Sequence, residues 1–62
     1  MTVNRARILA VGDRLADTRV GHLRGVVTCK RYFSVTVRWR TGRSERIFSG
    51  DALTWEGIDV IP

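Results

Sequence analysis

An all-β fold, a small five-stranded barrel around one core, is predicted by three observations. Phe33, Val35, Val37 and Trp39 alternate strictly with Ser34, Thr36, Arg38 and Arg40, the period-two pattern of a strand with one face in a core and the other in water. Glycines at 12, 21, 25, 42, 50 and 57 leave room for short strands but interrupt any helix longer than about two turns. Sixty-two residues allow a single core, because half of so short a chain would bury too little apolar surface to offset the entropy of ordering it.

Taken in order, residues 1–7 lack periodicity and carry Asn4, Arg5 and Arg7, so they read as a basic N-terminal arm, and residues 8–62 as the folded domain. Strands are expected at residues 11–16, 25–31, 33–40, 43–48 and 58–61, each bounded by Gly, Asp, Asn or Ser as turns require. Asp13, directly after Gly12, is expected to accept backbone N–H bonds and fix the turn into the first strand. Ser49-Gly50-Asp51-Ala52-Leu53 reads as one short 3-10 turn before the last strand, with Leu53 pointing into the core.

The hairpin at Thr41-Gly42 admits two registers. A two-residue loop, the favoured one, sets Arg38 opposite Glu45 and Val35 opposite Phe48, and places Ile47 on the outer face. A three-residue loop with Gly42 in the left-handed region sets Val37 opposite Ile47 and Arg38 beside Arg46. Loop length therefore decides how cationic the outer face is.

Composition narrows the function. With 44% hydrophobic and 27% charged residues the chain is too apolar for a disordered tail, and its longest uncharged apolar run, residues 8–11, is far too short to cross a bilayer. One cysteine excludes an internal disulfide, and the first residues lack the apolar centre of a signal peptide. A soluble protein of a reducing cytoplasm is expected.

The net charge is +5 and the pI near 11.1. All eleven Lys and Arg lie within residues 1–48, against Asp13, Asp17 and Glu45, while residues 49–62 hold only Asp51, Glu56 and Asp59. Such asymmetry fits an anionic partner, and in a domain without a basic amphipathic helix that partner is nucleic acid rather than membrane.

No catalytic constellation is visible, since the only imidazole is His22 and the only thiol Cys29. His22 reads as an exposed loop residue and Cys29 as a small buried hydrophobe. The acids are too scattered for a metal site, and no cofactor is implied. Among the aromatics, Phe33, Trp39 and Phe48 are expected in the core, whereas Tyr32 and Trp55, at strand ends, suit either packing or base stacking.

The succession Val-Gly-Asp-Arg-Leu at 11–15, Gly21-x-x-x-Gly25-Val-Val, Val35-x-Val37-x-Trp39, Ile47-Phe48 and Ala52-Leu53-x-Trp55 resembles the small SH3-like barrels of the KOW and Tudor-like type. That likeness covers roughly residues 11–61 and implies an all-β, five-stranded SH3-like small barrel with the 3-10 turn before its last strand. More narrowly, Glu45-Arg46-Ile47-Phe48 followed by Asp51-Ala52-Leu53 is similar to the Val-Gln-Ile-Tyr segment and following Ala-Leu of plasmid-borne type II dihydrofolate reductases. Arg46 stands in place of that family's Gln and Phe48 in place of its Tyr, so the groups that would hold cofactor and substrate are replaced.

The expected function is a non-enzymatic nucleic-acid-binding module that contacts phosphates through an Arg-rich hairpin. Its interface would be Arg31, Tyr32, Arg38, Arg40, Arg43 and Arg46, assisted by Arg5 and Arg7. The alternative is a protein-interaction or homo-oligomeric assembly module, using Ile47, Trp55 and Ile61. Either would suit a phage- or plasmid-encoded accessory protein.

Overall fold

In a computed structural model, which describes residues 1–62, five antiparallel strands form one sheet. A short helical turn, α1 (Val3–Ala6), precedes β1 (Arg14–Asp17), β2 (Leu23–Lys30), β3 (Ser34–Trp39) and β4 (Ser44–Phe48), and a second turn, α2 (Ala52–Trp55), leads into β5 (Ile58–Ile61). The sheet order is β4-β3-β2-β1-β5. The all-β expectation holds, but β4 and β5 do not pair, so the sheet is open rather than closed into a barrel. Closure is replaced by cover: Ala6, Leu9 and Trp55 sit on the inner face in one cluster with Leu15, Val27, Val35, Val37, Trp39, Ile47 and Ile58.

That cover alters the reading of residues 1–7. Instead of a separate arm they make a docked turn, with Thr2 capping α1 through a bond from Arg5 N–H and Ala6 wholly buried. The Met1 ammonium donates to the carbonyls of Trp55 and Ile58, and Lys30 Nζ donates to the Arg7 carbonyl at 2.6 Å.

The β3–β4 hairpin takes neither expected register. Arg40, Thr41 and Gly42 form a three-residue loop in which Gly42 N–H donates to Trp39 O at 2.8 Å and Trp39 N–H donates to Arg43 O at 2.9 Å. Gly42 has φ 93°, the left-handed turn geometry that completes such loops. Val35 then faces Ile47, Val37 faces Glu45 and Arg38 faces Ser44. Two apolar side chains meet inside, and Arg38 meets neither Glu45 nor Arg46.

Two aromatics consequently leave the core. Placing Ile47 inward turns Phe48 outward to 61% exposure, and Phe33, beyond the last core row, is 71% exposed. Below them, Asp51 accepts from Thr54 N–H and Oγ1–H, nucleating a one-turn α-helix where a 3-10 turn was expected. Residues two apart on a helix differ by about 200°, so with Trp55 fully buried Leu53 faces solvent at 77% exposure, the reverse of the expected orientation. The 3-10 turn lies at Thr18–Val20, capped by Asp17. A register shift between Val27 and Cys29 pairs Cys29 with Thr36, which leaves the thiol half-buried rather than in the core.

No helix is long and apolar enough to cross a membrane.

Candidate nucleic-acid interface

Strand pairing assembles a cationic groove from residues far apart in sequence. Arg14 pairs with Val26, Val26 with Arg38 and Arg38 with Ser44, while on the other side Arg14 pairs with Ile61. These residues share the outer face, because their chain neighbours Leu15, Val27 and Val37 point into the core. The next row adds Arg24, paired with Ala16, and Arg40, whose N–H donates to Arg24 O at 2.8 Å. With strands about 4.8 Å apart, Arg14 and Arg38 flank Val26 at Cα positions roughly 10 Å apart. The result is a groove of about 410 Å³ floored by Val26 and Ile61 and walled by Arg14, Arg24, Arg38 and Arg40.

Its electrostatics follow from where the acids go. Asp13 accepts from Ala10 N–H at 2.9 Å, the turn role expected of it. Asp17 accepts from Arg19 N–H and Nε, Asp59 pairs with the Met1 ammonium, and Glu45 accepts from Trp39 Nε1 at 3.0 Å. Asp51 caps α2, and the hydrogen bond from the Thr54 hydroxyl, with a second from the Thr54 N–H, holds its pKa below the ordinary value of 3.8. Of the eleven cationic side chains only Arg19 and Arg43 pair with a carboxylate. No acid lines the groove. Four guanidinium groups thus line one groove with no carboxylate among them.

The expected interface divides. Arg38 and Arg40 wall the groove. Arg46 lies on the same outer face opposite Thr36, with its guanidinium carbon 6.0 Å from the centre of the Phe48 ring. Arg43, at the hairpin tip, is 3.8 Å from Glu45 and is not a groove residue. Arg31 and Tyr32 occupy the exposed β2–β3 turn, and Arg5 is exposed on α1. Arg7 and Tyr32, with Phe33 and Phe48, line a second cleft of about 510 Å³ at the far end of the sheet.

Arg14 and Arg24 are groove residues that sequence adjacency to the hairpin missed. Period-two alternation in β1 and β2 places both outward, but only the pairing of three strands brings them to Arg38. His22, at φ 58°, is an exposed turn residue, and no group of three or more His, Cys, Asp or Glu side chains is placed to hold a metal.

Comparison with protein-family models, with curated proteins and with solved structures finds no match.

Proposed function

We propose that this protein is a non-enzymatic nucleic-acid-binding module whose outer sheet face takes a phosphate backbone. One observation carries the reading: Arg14, Arg24, Arg38 and Arg40 surround a single groove that no carboxylate lines. Arginine forks suit phosphate oxygens, and each phosphate neutralised releases counterions, so binding is driven by salt-dependent electrostatics. Contacts to phosphate oxygens position a protein on the polymer but carry no sequence information. Sequence preference is accordingly weak. The half-buried thiol of Cys29 suits a reducing compartment such as the cytoplasm.

The test is a titration of generic single- and double-stranded DNA and RNA at several salt concentrations. Four phosphate contacts give a slope of log K against log salt of roughly −3 to −4. Absence of affinity for every polymer at low salt sinks the proposal.

An assembly module is the competing reading, and it has lost part of its surface: Ile47 and Trp55 are in the core. What favours it is the open sheet, whose β4 and β5 edges offer unpaired backbone groups to a second strand. Light scattering separates the two, since an assembly of this kind is an oligomer without nucleic-acid affinity.

A further inference from the structure

Tyr32, Phe33 and Phe48 are the most exposed aromatic side chains of the protein, at 90%, 71% and 61%, and all three line one cleft. A domain this small gains from burying every large ring, so three left in water at one place need a reason. Tyr32 and Phe33 pack edge to face, with centroids 4.5 Å apart and planes at 88°. That contact fixes the two rings against one another and leaves a face free. Arg46 stands over Phe48, Arg7 is the cleft's charged lining residue, and no acid lines it.

We infer that this cleft is a base-stacking site and that the preferred ligand is single-stranded nucleic acid. The inference rests on the phosphate-binding reading of the outer face and adds to it the form of the polymer. Phe48 and Arg38 lie on the same face of the sheet, and Phe48 is four residues along β4 from Ser44, the partner of Arg38. At about 3.4 Å per residue the two sites are roughly 14 Å apart, about four phosphate steps of a stacked strand. One short strand thus reaches from groove to cleft, its phosphates on Arg38 and Arg46 and its unpaired bases on the rings. A duplex cannot offer a ring a free base face without unstacking a base step. The cations suit both forms of nucleic acid, but exposed rings are of use only with unpaired bases.

The experiment compares oligo-dT and oligo-rU of about twelve nucleotides with a duplex of equal length, for the wild type and for Tyr32→Ala, Phe48→Ala and Phe48→Tyr. Loss of one stacked base weakens single-strand affinity roughly ten-fold, so each alanine variant is expected to lose about that much for dT and rU and less than about two-fold for duplex. Phe48→Tyr keeps the ring and is expected to keep the affinity. Both side chains are exposed, and the midpoint of thermal unfolding is expected to stay within about 4 °C of wild type, so loss of fold does not imitate loss of stacking. Equal weakening for both polymers, or none for either, overturns the stacking site while leaving the phosphate groove standing. A wild type that binds neither polymer at low salt overturns both.

Discussion

Replacing Arg14 by alanine separates a phosphate site on the sheet face from one confined to the β3–β4 hairpin. Arg14 lies on β1, far from the hairpin in sequence, and reaches the groove through the Arg14–Val26–Arg38 pairing row. Arg43 is the control, a hairpin cation held 3.8 Å from Glu45 and outside the groove. With four groove contacts at about 0.9 counterions each, affinity for duplex DNA drops about 150-fold between 50 and 200 mM salt. Three contacts reduce that drop to about 40-fold. Arg14→Ala should therefore flatten the log–log slope by about one, while Arg43→Ala should leave it within error. Arg14 is exposed and makes no ion pair, so unfolding free energy should change by less than about 0.5 kcal/mol. Fluorescence anisotropy of a labelled duplex, repeated at five salt concentrations, reads the slope directly. If Arg43→Ala flattens the slope and Arg14→Ala does not, the binding surface is the hairpin and the sheet-face reasoning is wrong.

Three structural expectations follow from the same geometry. A Cβ at position 25 would lie 2.6 Å from Trp39 Cε3 and 2.8 Å from Val37 Cγ1, so Gly25→Ala overpacks the core by roughly 1–3 kcal/mol, a fall in Tm of roughly 4–8 °C per kcal/mol; an unchanged Tm contradicts the packing. Gly42 at φ 93° meets nothing with an added Cβ, so Gly42→Ala costs only backbone strain, roughly 1 kcal/mol by chemical denaturation, and an unaltered midpoint argues against the loop conformation. Asp51 has its folded pKa lowered beneath 3.8 by the bonds from Thr54, so its contribution is complete above the unfolded value and is lost as pH falls through the folded one. Asp51→Asn keeps a capping oxygen but cannot titrate, and its stability should decline less steeply below about pH 4; an identical acid limb contradicts the assignment.

The parts of the fold legible in the sequence were those with a local signature. Alternation around Val35 and Val37 announced β3 and its buried face, and Gly12-Asp13 announced the turn into β1. Cross-strand pairing was not legible: a three-residue loop with Gly42 left-handed was one of two alternatives, but which three residues form it, 40–42 rather than 41–43, is set by long-range packing, and that register decides what Ile47 faces. The same dependence explains the site. Arg38 and Arg40 were recognisable by their crowding on one hairpin, whereas Arg14 and Arg24 enter only when β1 and β2 are laid beside β3. Phe33 and Phe48 look like core residues in any linear pattern. Phe48 is exposed because the observed register turns Ile47 inward, and Phe33 because it lies beyond the last core row, and a register set by long-range pairing leaves no periodic trace.

The claim that the outer sheet face meets nucleic acid is tested most directly by following backbone amide and arginine side-chain NMR signals during titration with a twelve-nucleotide oligo-dT at low salt. The expected shifts cluster at Arg14, Arg24, Val26, Arg38, Arg40 and Arg46, weaken together as salt is raised, and spare Asp51 through Trp55. Shifts confined to α2 and the Thr18–Val20 turn, or none at any salt concentration, would contradict it.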